Sequence, residues 1–452
     1  MAARSLVAAA AIVLCGATAG AQATRQPCEL VFETNPDHPT LFSRLPSGTT
    51  NIFAGGGVRG VCRGQDIVLT ADSAEYYGDL RTLFLLGNVR YREARARLES
   101  RKLTYWMNDE RLLSEGDVVV TLASGTTARG PIIDYLRAAP AVRTVARMEA
   151  PRRTLTRIPQ KDSTGAARRD TVQVEADRTL SIGDSLVYAG GNVRILRGDI
   201  LGLSDSAFMD NEGDVARLIG KARVNAAGTR PFVLTGATID LFSKEQKLER
   251  VLARTAATAT SKDLELQSDT IDMRIVNDGL ERAFAWGKSR ARATSPGRVM
   301  LADSMDVLMP GQKVREVRLL RGAYAESDPD STRILTKERD WLRGDTIVAH
   351  FDTVLAASDS SPRIKSLVAT GKARSFYHVT SARGGPTRPA VNYVRGKEIV
   401  VSFANDEVTD VVVREGANGV YLEPSDDPNR KPTPVNATPR TRATTPVNPR
   451  RP

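Results

Sequence analysis

Residues 71–91 read ADSAEYYGDLRTLFLLGNVRY. A short alternating run opens at Ala71-Asp72-Ser73, and a polar turn follows around Gly78-Asp79. A second run, Thr82 to Tyr91, is rich in Leu, Val and aromatics and carries Gly87-Asn88-Val89. Two such runs around a Gly-Asp turn predict a pair of antiparallel strands.

Both halves recur along the chain. The opening half returns as Ala176-Asp177, Ser204-Asp205-Ser206, Thr235-Gly236-Ala237, Ser268-Asp269-Thr270, Ala302-Asp303-Ser304, Gly344-Asp345-Thr346 and Arg395-Gly396-Lys397. The closing half, a glycine inside an apolar strand, returns at Gly116, Gly191, Gly220, Gly287, Gly322, Gly371 and, late, Gly416. From Asp177 the steps to Asp205, Gly236, Asp269 and Asp303 are 28, 31, 33 and 34 residues. Later units carry polar inserts near 326–331, 358–362 and 384–389. A period of about 30 residues is the mark of a stacked array. Clean alternation, as in Ile271-x-Met273-x-Ile275, requires strands with one buried face. One hairpin cannot bury that face alone, whereas a stack can. The expected fold is all-β: an elongated, twisted open jellyroll of stacked hairpins, with two exposed sheet ends. Helical signals are confined to 136–148 and 244–252, and the latter fits a turn and strand better. The recurring glycine permits a bulge, and the recurring Asp can satisfy turn amides. The aspartates are spread one per unit and are not gathered as a calcium loop requires.

The ends read differently. Arg4, the apolar run 6–15 and Ala19-Gly20-Ala21 have the form of a cleavable secretory leader, 1–21, with a mature start near Gln22. The run is shorter than the ~20 residues of a membrane span. Leu14 before Cys15 is bulkier than a lipidation site expects. Cleavage leaves Cys28 and Cys62, which form one disulfide or stay as two thiols. Residues 22–65, broken by Pro and Gly, read as an N-terminal cap. Residues 66–150 are a first repeat block, 151–171 a basic linker or loop, and 172–422 further repeats. Residues 423–452, rich in Pro, Thr and Arg, are expected to be disordered.

The net charge is +11. For an exported chain this favours an anionic envelope glycolipid over nucleic acid, or serves solubility alone. Aromatics make up only 5 %, which argues against a membrane barrel with aromatic girdles. The three histidines, His38, His350 and His378, lack metal-ligand spacing, and no nucleophile-elbow, zincin or P-loop motif is present. The expectation is therefore no catalytic residue, no metal and no cofactor.

The pattern Ala71-Asp72-Ser73-x-Glu75-Tyr76, then Thr82 and Gly87-Asn88-Val89, resembles the organic-solvent-tolerance and lipopolysaccharide-transport (OstA/LptA-like) family. Ile239-Asp240-Leu241-x-x-Lys244-Glu245-Gln246-Lys247-Leu248 resembles another of its hairpins. The likeness is firm over about 66–150 and diluted to about 422. It implies a periplasmic jellyroll that carries lipopolysaccharide acyl chains in its interior and joins other jellyrolls, or itself, end to end. It also implies two or more fused units, given this chain's length. The groove candidates are Leu103, Tyr105, Ile239, Leu241, Ile271, Met273, Ile275, Val299, Leu301, Met305, Val307, Ile347, Phe351, Ile399, Val401 and Phe403. Arg90, Arg92, Arg194, Arg197 and Arg223 are candidates for headgroup phosphates. The competing expectations are a structural or adhesive β-solenoid with a closed core and, third, a polysaccharide-active β-helix enzyme.

Overall fold

The computed structural model describes residues 28–424, apart from 35–36, 39, 140–141, 162–166, 229–230, 245–246, 263, 278, 330, 332–333, 353–362, 380–387 and 405–406. The leader and all but the first residues of the tail lie outside the described residues, as do the insert at 358–362 and most of that at 384–389.

The described residues are strands joined by short turns, with one 3-10 turn at Pro310–Gln312. Every pairing is antiparallel, and nearly every strand pairs with its neighbours in sequence. The founding stretch forms Ser73–Tyr77 and Thr82–Arg92, in the register Tyr77↔Thr82 to Ser73↔Leu86. The same meander then runs without interruption from Leu186–Arg197 to Ala390–Ala404.

The recurring motifs sit in mid-strand, not at the turns. Almost every long strand is bent once, where the register shifts by an extra residue: between Leu86 and Val89, Gly190 and Val193, and Ile219 and Ala222. The bulge residues take positive φ, as at Gly87 (75°) and Asn88 (44°). Such bulges bend a strand sharply. Opposite most bulges stands the motif Asp of the preceding strand. Asn88 and Asn192 donate side-chain amide bonds to Asp72 and Asp177 at 2.9 and 2.7 Å, and the backbone amides of Lys288 and Ser289 donate to Asp269. The Asp therefore caps bulge amides rather than turn amides. Two rungs swap the charges: Arg101 faces Asp117, and Lys397 faces Glu415. Register equivalence places Ala237, not Gly236, at the Asp position of a neutral rung, opposite Thr255-Ala256.

These bends line up as a corner that folds the sheet into two arms. At some rungs the corner interrupts the strand altogether. Ile67–Ala71 and Ser73–Tyr77 are the two arms of one rung, each paired with half of Thr82–Arg92. Gly55-Gly56-Gly57 forms the same corner between Thr50–Ala54 and Val58–Arg63. The expected cap is thus built of rungs, and Cys28 is disulfide-bonded to Cys62 with Cα atoms 5.2 Å apart. The basic stretch read as a linker also holds strands. Thr154–Lys161 and Ala167–Ala176 pair with each other and with the flanking rungs, because Thr154, Thr156 and Ile158 on one strand and Val172 and Val174 on the other bury a common face while Arg157 stays outside. Residues 136–148 show no helix among the described positions.

The buried side chains form two clusters, one from Ala54 to Ala150 and one from Ile158 to Val401. The first is rich in Leu and Tyr, the second in Ala.

Two substitutions test the corner. Thr255, a β-branched residue at φ 65°, is strained where glycine is at ease. Thr255→Gly is expected to raise stability by up to about 1 kcal/mol, seen as a higher denaturant midpoint at unchanged m. At Gly87 a Cβ would collide with the Asp72 carboxylate. Gly87→Ala should therefore lower stability by about 1–3 kcal/mol.

Candidate functional site

Register connects the inward positions of one arm into rows along the array. One row runs Tyr76, Leu83, Tyr105, Leu112, Tyr135, Met148, Ser181, Val187, Met209, Ala216, Leu241, Val251, Met273, Ala283, Val307, Val317, Ala349, Leu367, Val401. A parallel row in the second cluster runs Ala207, Leu218, Ile239, Ala253, Ile271, Ala285, Met305, Leu319, Ile347, Ala369, Ile399. In the second block alanine recurs between larger side chains, as in Ile239-Ala253-Ile271-Ala285-Met305, so those rungs interdigitate.

Most groove candidates fall on these rows. Leu103, Tyr105, Ile239, Ile271, Met305, Ile347 and Ile399 are fully buried, and Met273, Val307 and Val401 nearly so. Leu241, Ile275, Phe351 and Phe403 are partly buried and pack on the core toward the arm tips. Val299 and Leu301 are misplaced. Met300 and Ala302 pack in the core cluster in that strand, so Val299 and Leu301 lie on the outer face, although Val299 is itself only 6 % exposed. The central seam is closed to water. Two shallow, open hollows lie at the corner, one lined by Lys221, Arg223, Gly236, Ala237, Thr255 and Ala256, the other beside it at Arg153, Arg194 and Lys221.

Among the arginine candidates, Arg90, Arg92, Arg194 and Arg223 point outward from exposed positions. Arg197 alone reaches the mouth between the arms, donating from Nη1 to Ser243 Oγ on the opposite tip at 3.1 Å.

The mouth of the first block is crossed by a charged cluster that periodicity does not reveal. Arg137, 1 % exposed, follows the strand Thr127–Leu136 at one arm tip. Its Nε donates to Glu93 Oε2 (2.7 Å) and its Nη2 to Gln65 Oε1 (3.3 Å), both on turns of the other arm. Its Nη1 donates to Tyr105 Oη (3.0 Å) and to Glu110. Tyr135 donates to Glu93 (2.9 Å) and Tyr105 to Glu110 (2.6 Å). Burial, aided by the adjacent glutamates, raises both phenols well above their ordinary range, so they stay protonated donors. Burial opposes the Arg137 charge, yet its anionic neighbours raise its pKa and hold it ionised.

The outer face carries its own buried carboxylates. Asp240 is fully buried beneath Arg217 (2.6 Å) and Arg254. Burial alone would raise its pKa, but the two guanidiniums outweigh it and hold the group below 3.8. A carboxyl with a depressed folded pKa stabilises the fold above its unfolded value and loses that contribution as pH falls through the folded one. The second block is therefore expected to weaken as pH drops below about 4, and Asp240→Asn should flatten that slope in acid unfolding curves. Among the described residues, no group of three or more His, Cys, Asp or Glu is gathered to hold a metal.

The sheet ends are open. Among the described residues, Glu407–Arg414 and Asn418–Leu422 pair on one side only, with Val408, Val420, Tyr421 and Leu422 exposed. At the other end Leu41 and Phe42 are exposed on the strand Leu41–Arg44.

No protein-family model matches the chain, and no curated protein matches it. Among solved structures it is similar to LptH of Pseudomonas aeruginosa, the LptA-homologous periplasmic component of a lipopolysaccharide transport device. The two are 14 % identical over 37 % of this chain and 87 % of that one, with a TM-score of 0.17. The fold of the described residues is all-β, an open jellyroll of stacked antiparallel strands bent at a common corner.

Proposed function

We propose that this chain is a periplasmic binding and transport bridge, or an accessory of outer-membrane assembly, that carries the acyl chains of lipopolysaccharide or a related anionic glycolipid. The observation that carries this reading is the apolar seam of the second block, continuous from Ile158 to Val401, with partly buried apolar side chains along its rim. Each methylene drawn from water gains about 0.8 kcal/mol, and a chain sliding along a continuous seam keeps that gain. The exposed apolar ends suit strand addition by another jellyroll or by a second copy. The excess of positive charge suits a phosphorylated headgroup.

One observation favours a second reading, a structural or adhesive solenoid. The central row, from Ile239 to Ile399, is dry, so a lipid must part the arms to reach it. Native mass spectrometry of protein gently purified from the periplasm of a lipopolysaccharide-producing bacterium separates the two. Glycolipid adducts, with lipid capture by photo-crosslinkers at Phe351 and Phe403, are expected for transport. Crosslinks to protein or polymer alone would favour the solenoid.

A further inference from the structure

The two blocks treat the mouth between their arms differently. In the first block, Arg137 on one tip is bonded across the opening to Glu93 and Gln65, and Tyr135 crosses it as well. Behind this bridge the interior is filled by Tyr91, Tyr105 and Tyr135, with the first two rings meeting edge to face at 6.4 Å. The Tyr91 hydroxyl is buried among them with no hydrogen-bond partner from the protein. In the second block the tips carry apolar, partly buried side chains: Ile275, Leu280, Phe351 and Phe403 on one arm, Phe232 and Leu264 on the other. Apart from the hydrogen bond of Arg197 to Ser243, the side chains named at those tips are apolar, so parting them exposes surface that an acyl chain can cover. Parting the first block's tips strips a buried guanidinium from its carboxylate, which an acyl chain cannot replace.

We propose that Arg137 is a latch that locks the first block shut, and that apolar ligand enters the interior only between the arms of the second block. The inference rests on the lipid-carrying reading for its ligand, but the latch is testable without lipid. On this account the first block acts as a rigid, cargo-free end piece and the second as the carrier. Arg137 is a positioning residue, since it acts on the ligand only through the arms that it holds.

The test uses the full chain and a small apolar diazirine that inserts into accessible apolar groups on illumination, mapped by peptide mass spectrometry. In the unmodified protein, peptides spanning 264–280 and 342–352 are expected to take at least ~fivefold more label than those spanning 83–105 and 127–137. In the variant Arg137→Met/Glu93→Gln/Glu110→Gln, which leaves no buried charge unpaired, first-block labelling should rise toward that of the second. Equal labelling of both blocks in the unmodified protein, or no labelling of the second, overturns the proposal. So does a variant with native circular dichroism and an unlabelled first block. Should the variant not fold, the contrast in the unmodified protein still decides. Labelling of the second block without lipopolysaccharide capture at Phe351 would remove the lipid cargo and leave the latch standing.

Discussion

Replacing Arg137 alone with methionine is expected to cost the first block about 3–5 kcal/mol, far more than any exposed arginine. The loss does not measure what the ion cluster contributes. It measures what remains: Glu93 and Glu110 would each keep a largely buried carboxylate without its cation. Each would take up a proton or draw water into the interior, and both responses loosen the arm tips. Removing all three charges together should recover most of the loss, because a neutral, hydrogen-bonded set carries no such penalty. An exposed arginine such as Arg90 should change stability by no more than about 0.5 kcal/mol when truncated. Denaturant unfolding followed at Trp106, which lies under the Arg111 guanidinium in this block, reports the difference. A small effect of Arg137→Met, with no recovery in the triple variant, would mean that the cluster is loosely hydrated and bridges nothing.

Much of the fold is legible in the sequence, and the places where it is not have a common cause. Alternation such as Ile271-x-Met273 identifies strands because a half-buried sheet demands it, and the period of about 30 residues counts pairs of rungs. The glycine and Asp motifs mark real structure but are open to two readings. Gly-Asn supplies left-handed backbone to a tight turn and to a bulge alike, and only the register tells them apart. That ambiguity misplaces side chains as well. In the strands bearing the motif Asp, three residues separate the last inward position before the corner from the first one after it, as in Ala302 and Met305. Constant alternation counted back from Met305 and Val307 therefore selects Val299 and Leu301, the wrong face. The latch is invisible for another reason. Arg137, Glu93 and Gln65 belong to no periodic pattern, and they meet only because the corner folds one arm's tips over the other's. In the stretch read as a linker, a dense run of arginines obscured the alternation beneath it.

Ile271→Asp tests the seam and the division of the core together. Ile271 is fully buried, midway along the second block's inner row, between Ala253 and Ala285 on the adjacent strands. Truncation to alanine removes three carbons from a site whose small neighbours cannot collapse far, and should cost about 2–5 kcal/mol. The aspartate adds an unpaired charge between Ala253 and Ala285 in an apolar row, so its cost should exceed about 5 kcal/mol. Leu301→Ser, on the outer face one strand pair further along, should cost less than about 1 kcal/mol, which checks the facing of that strand directly. In a stacked array each rung is held mainly by its neighbours, so damage spreads outward until an independent core stops it. The buried clusters separate between Ala150 and Ile158. Hydrogen exchange on Ile271→Asp should therefore show lost protection from Phe232–Lys244 through Ala390–Ala404 while Thr82–Leu136 stays protected. If both regions lose protection together, the two clusters melt as one unit. A first block that does not hold its shape when the second opens cannot serve as the fixed end against which a carrier's arms part.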